Sequence, residues 1–192
     1  MSLLYLIMLG LGIWILIAAV VLLIFIFVGY YNRFTVLSNR IANSLGQIDV
    51  QLKRRADLIP NLVETVKGYA KHEKDAIKAV TEARKALVSA TDLPSRVKAD
   101  RTLDGALGRL FAIAEGYPDL KANTNFLELQ RELTSTEDKV AYSRQFYNDS
   151  ILDYNNKCKT FPGKMFASMF GFKEKEYIQI SAEDKKPVQV KF

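Results

Sequence analysis

The residue types behind most enzymatic and metal chemistry are scarce in this chain of 192 residues. There is one histidine, His72, and one cysteine, Cys158. A lone cysteine leaves no intrachain disulfide and no cysteine metal cluster, and a lone histidine leaves no His-rich metal site. Any Ser-His-Asp or Cys-His arrangement would have to use His72, which stands among charges on a predicted helical surface. Gly105 and Gly108 resemble a phosphate loop only loosely. No strand precedes them and no Lys-Ser/Thr follows, so close helix packing explains them better. The most suggestive polar set is Arg54, Asp57, Asn61 and Glu64, at steps of three and four on one helical face. It reads as a solvated stripe of ion pairs, each contributing ~0.2–0.5 kcal/mol. The competing reading is a polar network at a subunit or partner interface. Acid–base work by its carboxylates lacks a nearby nucleophile or cleft residue. No enzyme activity, metal or cofactor is expected.

The net charge of +6 is modest and dispersed, and no aromatic platform accompanies it, so nucleic acid is not an expected partner. What must position the polar stripe is a long predicted helix. From about Gly29 to Ala90 an apolar series (Phe34, Leu37, Ile41, Leu45, Ile48, Leu52, Ile59, Leu62, Val66, Ala70, Ile77, Val80) keeps the helical period. Sixty such residues would make a rod on the order of 90 Å long. Pro60 lacks an amide and crowds the Ala56 carbonyl, which predicts a kink or a one-turn break there. Gly29 is a candidate joint at the other end.

Before the rod, residues 2–32 contain no Asp, Glu, Lys or Arg. This apolar run exceeds the ~20 residues needed to cross a bilayer, and Tyr30 and Tyr31 suit its far interface. It is too long, and lacks the basic start, for a cleaved signal peptide. Arg33 and Arg40 follow it closely, then Lys53, Arg54 and Arg55, while the first acid is Asp49. That asymmetry predicts an N-terminus outside and the larger part in the cytoplasm.

The stretches Tyr31-Asn32-Arg33-Phe34 and 47–70 (QIDVQLKRRADLIPNLVETVKGYA) resemble the signature of the bacterial LemA family. Further matches are Glu115-Gly116-Tyr117-Pro118-Asp119-Leu120-Lys121-Ala122-Asn123, Tyr147-Asn148-Asp149, Asp153-Tyr154-Asn155 and Phe170-Gly171-Phe172. The resemblance covers nearly the whole chain. It implies a short outer N-terminus, one membrane helix and a cytoplasmic helical bundle. It implies no established activity, and it links some members to internal membrane compartments.

Asp92-Leu93-Pro94-Ser95 breaks the rod, with Ser95 as a candidate cap. The next helix runs to about Glu115 with Leu103, Leu107, Leu110 and Ala114 on one face, beside Ala106 and Ile113. Asn125 with Glu128 resembles a capping box for a third helix. Phe126, Leu133, Val140, Tyr147 and Tyr154 follow at seven-residue intervals, a coiled-coil-like spacing. The companion positions Leu129, Thr136, Ser143 and Ser150 turn polar, so that seam reads as half-built. Tyr142, Phe146 and Ile151 form a second apolar flank. These return helices (roughly 33 Å and 52 Å) are too short to cover a 90 Å rod. Either the rod folds back near Pro60, or Phe34, Leu37, Ile41, Leu45 and Ile48 stay uncovered and mediate self-association.

Phe161-Pro162-Gly163 ends the last long helix, and the following segment is rich in Met and Phe, with Phe166, Phe170 and Phe172. It reads as a short helix closing the bundle, with an interfacial membrane foot or an oligomer contact as alternatives. Tyr177, Ile178 and Ile180, then Val188, Val190 and Phe192, alternate as in short strands or an extended peptide.

The expected fold is therefore all-α. Residues 1–31 form a transmembrane anchor, which continues into an up-and-down antiparallel bundle of three to four helices over 32–160. Residues 161–192 hold the short helix and an extended tail. The expected role is a self-associating scaffold, with a monomeric or dimeric adaptor for a membrane protease or transporter as the alternative. Partners would be the lipid bilayer, further copies of the chain and other membrane proteins. The expected location is the bacterial cytoplasmic membrane or an internal membrane derived from it.

Overall fold

A computed structural model describes residues 2–178, with side chains from residue 8 onward. Over these residues the chain is helical without strands: α1 (Ser2–Tyr69), α2 (Lys74–Ser89), α3 (Leu93–Ala114), α4 (Pro118–Lys121), α5 (Thr124–Lys159) and α6 (Gly163–Phe170). Two compact units result. Among the described residues the first comprises 2–42 and 149–176, the second 43–148 with 177–178. The tail positions Ile180, Val188, Val190 and Phe192 lie outside the described residues.

Helix α1 opens with an apolar stretch of mean hydropathy 3.2, none of it buried, and is long and apolar enough to cross a membrane. Gly29 does not interrupt it. Nor does Pro60, where a break was expected: the helix continues to Tyr69. A proline at position 60 cannot donate to the carbonyl of Ala56. Arg84 on α2 supplies the missing donor, its Nε bonding the Ala56 oxygen at 2.8 Å.

The rod does not reach Ala90. It ends at Tyr69, and residues 70–73 reverse the chain into α2. Two side-chain bonds pin the corner, from Tyr117 Oη to Glu73 Oε1 (2.8 Å) and from Asn123 Nδ2 to Tyr69 Oη (3.0 Å). The caps also lie ahead of the expected positions, by three residues for α3 and by two for α5. Asp92, not Ser95, caps α3, accepting from the Ser95 amide at 2.9 Å and from its hydroxyl at 2.7 Å. Asn123, not Asn125, accepts from the Phe126 amide at the start of α5.

In the second unit, paired residues fix the topology. Arg54 meets Glu132 and Tyr69 meets Asn123, so α1 and α5 are antiparallel. Arg55 meets Asp100 and Glu73 meets Tyr117, so α3 rises parallel to α1. Asp100 with Arg144, and Phe111 with Phe126, make α3 and α5 antiparallel. With α2 descending between α1 and α3, this is an up-down-up-down four-helix bundle. Its core includes Ile48, Leu52, Ile59, Leu62, Leu103, Leu110, Leu133 and Val140.

The heptad series of α5 is buried throughout, and so are its polar companions Thr136, Ser143 and Ser150. The seam expected to be half-built is complete. Small side chains fill it, and Thr136 bonds the Leu133 carbonyl at 2.7 Å. Of the second flank only Ile151 is buried, and Tyr142 is exposed. Gly105 and Gly108 face solvent on α3, and an added Cβ would meet nothing within 4 Å. They therefore do not serve close helix packing.

In the first unit, the last turns of α5 and the short α6 pack on α1. Gly163 is required by contact, since a Cβ there would overlap the Lys157 carbonyl oxygen. Gly171, at φ +74°, closes α6 in the left-handed conformation that glycine adopts at low cost. Asn155 then holds the chain that follows, donating to the Lys175 carbonyl (2.8 Å) and accepting from its amide (2.9 Å).

Candidate functional site

The apolar residues assigned to self-association are internal. In the first unit Phe34, Leu37 and Ile41 are buried. Phe34 stacks on Phe172 at 4.8 Å and meets the edge of Tyr154 at 6.0 Å. In the second unit Ile48 is buried and Leu45 half-buried. The corner at 70–73 shortens the rod, while α5 extends to Lys159, so the chain's own segments cover the stripe. Exposed apolar residues of α1 below the apolar stretch are others, among them Val36 and Val50.

The polar set is not a network either. Asp57 pairs with Lys53 (2.9 Å), Glu64 with Lys67 (2.8 Å) and Arg54 with Glu132 (2.7 Å), all near the surface. Asn61 is exposed, and its carbonyl accepts from Thr65. Such solvated pairs contribute about 0–1 kcal/mol each. The backbone group that Pro60 frees is used inside the bundle by Arg84, which removes the reason for placing a partner contact there.

The ionic centre of the second unit is one residue away, at Arg55. Its side chain and that of Asp100 are each 1% exposed, and they bond at 2.8 Å. Asp100 also takes Arg144 on its other oxygen at 2.6 Å. Arg55 further pairs with Asp104 and, at 3.3 Å, with Glu137. Two cations thus face three carboxylates. Burial raises the Asp104 pKa; Arg55 opposes the rise, and Asp100 and Glu137 add to it. The Nε atoms of Arg55 and Arg144 make no hydrogen bond, an added cost of the arrangement. Losing one partner of a buried pair typically costs ~3–5 kcal/mol, so the cluster resists piecemeal change. From sequence Arg55 reads as part of the basic collar. Its one distinguishing signal is its place on the buried stripe, three residues beyond Leu52 and four before Ile59.

The first unit carries an aromatic cluster. Phe27, Tyr30, Tyr31 and Phe34 share one face of α1, where its apolar stretch ends. Phe166 meets Phe27 edge-on at 5.1 Å and stacks on Tyr30 at 4.4 Å. Phe170 meets Tyr31 at 5.3 Å. Lys157 Nζ lies 4.9 Å from the centre of the Tyr30 ring. The sequence-predicted residues Phe166, Phe170 and Phe172 are thus brought together, against α1. Tyr154 and Cys158 lie one turn apart nearby. Burial pushes the Tyr154 hydroxyl up to about 12 and raises the Cys158 thiol, which makes it a poor nucleophile.

A shallow cleft of the second unit is lined by Asp49, Lys53, Asp57, Arg84 and Arg96 among others. Its charges are engaged: Arg96 with Asp49, Lys53 with Asp57, and Arg84 with Ala56. His72 is exposed in the corner after α1. Among the described residues no three of His, Cys, Asp and Glu gather in a way that could hold a metal.

A helix of membrane-crossing length that runs on into a four-helix bundle with a buried ionic centre defines an anchored helical-bundle protein. The sequence profile of the LemA family matches residues 44–192, and the chain belongs to that family. It is 29% identical over 138 residues to Protein LemA of Metamycoplasma hominis, covering 71% of this chain and 63% of that protein. It is 27% identical over 175 residues to Magnetosome protein MamQ 2 of Paramagnetospirillum magneticum, covering 78% and 64%. A 27% match over 173 residues to Magnetosome protein MamQ of Magnetospirillum gryphiswaldense covers 77% and 64%. The chain spans slightly less than two thirds of the length of these relatives. It is accordingly a membrane-associated bacterial protein of LemA type.

Proposed function

We propose that this protein is a non-catalytic, membrane-anchored scaffold that holds a helical bundle at the bilayer and organises membrane or membrane-protein partners there. The observation that carries the reading is the continuity of α1, one unbroken helix that supplies first the exposed apolar stretch and then a bundle stripe. The scarcity of catalytic residue types and the mutual pairing of the buried charges support a structural role. The relatives named for magnetosomes support keeping an internal compartment, alongside the cytoplasmic membrane, within the proposed location. The basic residues after the apolar stretch favour a cytoplasmic bundle.

The burial of Phe34, Leu37, Ile41 and Ile48 favours a second reading, a monomeric or dimeric adaptor for one membrane protein such as a protease or transporter. Self-association would have to use other side chains. Native mass measurement of the full-length protein extracted in mild detergent separates the two. A large uniform assembly supports the scaffold, and a monomer or dimer that co-purifies at fixed ratio with one membrane protein supports the adaptor. Turnover of a substrate by the purified protein, lost on a single side-chain change, would overturn both.

A further inference from the structure

Helix α6 has an apolar face wider than its packing on α1 uses. Phe166 and Phe170, one turn apart, meet Phe27, Tyr30 and Tyr31, and Gly163 and Ala167 are buried beside them. Met165 and Met169, also one turn apart, flank these phenylalanines yet are each 60% exposed, and Phe161 just ahead is 81% exposed. Lys164 and Ser168 occupy the remaining arc of the helix, and both are exposed. An apolar face this open is costly on a helix surrounded by water. Its location resolves the cost. The rings that hold α6 belong to the last turns of the apolar stretch, within six residues of Arg33, the first charge. Side chains at that level meet the headgroup and upper acyl region when α1 crosses a bilayer.

We propose that α6 is an interfacial foot: Phe161, Met165 and Met169 insert into the bilayer leaflet from which α1 emerges, while Lys164 faces the headgroups. The occupant is lipid rather than a second protein chain, because the exposed face is continuous through Phe166 and Phe170 with α1's own lipid-facing stretch. Basic residues rim the same end. Arg33, Lys164 and Lys173 are exposed there, and Lys157 sits on Tyr30, a pattern suited to anionic headgroups. Flexible, polarizable methionine suits a disordered acyl surface. The proposal rests on α1 crossing the membrane, so its test reads the two separately.

The full-length protein, in a Cys158→Ala background, is spin-labelled at single cysteines and reconstituted in vesicles of phosphatidylcholine and phosphatidylglycerol. Leu22→Cys reports the anchor, Met165→Cys and Met169→Cys the foot, and Lys164→Cys the polar arc. The expected result is an oxygen-to-nickel accessibility ratio at 165 and 169 severalfold above that at 164, approaching that at 22. Lipid-like values at 22 with water-like values at 165 and 169 overturn the foot and leave the anchor standing. Water-like values at 22 overturn both. Positions 165 and 169 shielded from both reagents, with spin–spin broadening that fades on dilution with unlabelled protein, assign the face to a second copy and overturn the foot.

Discussion

Proline inside a helix costs on the order of 3 kcal/mol, partly because a carbonyl loses its partner. At Pro60 that carbonyl belongs to Ala56, and Arg84 Nε takes it. Arg84→Ala should therefore destabilise the protein by ~1–3 kcal/mol, the usual cost of a buried acceptor left unpaired. In a Pro60→Ala background the restored amide can serve Ala56, and the same Arg84 change should cost clearly less. Denaturant unfolding of the four variants measures the coupling; equal costs in both backgrounds would show that Arg84 does not serve that carbonyl. Asp104 offers a test by pH. Its pKa is raised in the fold, chiefly by burial, so the native state holds the proton more tightly than the unfolded chain. Stability gained from that proton is complete below the ordinary carboxylate range and is lost as pH rises through the raised value. Asp104→Asn should flatten this decline when unfolding is followed from about pH 4 upward.

Elements were legible where their periodicity had one meaning. The heptad run from Phe126 to Tyr154 announces α5, and the Leu103–Ala114 face announces α3. The corner between α1 and α2 was hidden for a physical reason. Ala70 and Val80 are both buried and Ile77 half-buried, and their three- and seven-residue spacings stay in helical phase across a four-residue reversal. Arg55 was hidden because burial of an arginine depends on acids from α3 and α5, which its own helix cannot reveal. Thr136, Ser143 and Ser150 misled in the opposite way, since small polar side chains can complete a seam by bonding to their own helix. At this scale Gly163 is the most exacting position. A Cβ would overlap the Lys157 carbonyl, and backbone cannot give way as a flexible side chain would. Gly163→Ala should destabilise the first unit by about 1–3 kcal/mol, the range for overpacking. Hydrogen exchange should show α6 amides less protected, while exposed Ser168→Ala leaves them unchanged.

For the whole molecule, anchor, helical class and family were readable from composition and motif, whereas the surface that meets partners was not. Apolar spacing reports which face of a helix is buried but not by whom, so the stripe from Phe34 to Ile48 looked unclaimed until the turn at 70–73 and the length of α5 were known. The basic bias after the apolar stretch predicts that protease added to intact spheroplasts spares the second unit and digests it only after lysis; cleavage before lysis would reverse the orientation. The five-charge centre around Arg55 carries a consequence for how the molecule reassembles. Sliding α3 by a single turn, ~5.4 Å, would either set Arg96 in the place of Asp100, against Arg55 and Arg144, or put Asp104 there and carry Asp100 away from both guanidinium groups. Greasy seams alone tolerate such slippage, but this one closes like a toothed latch, so helices shaken loose should come back together in one alignment or not at all.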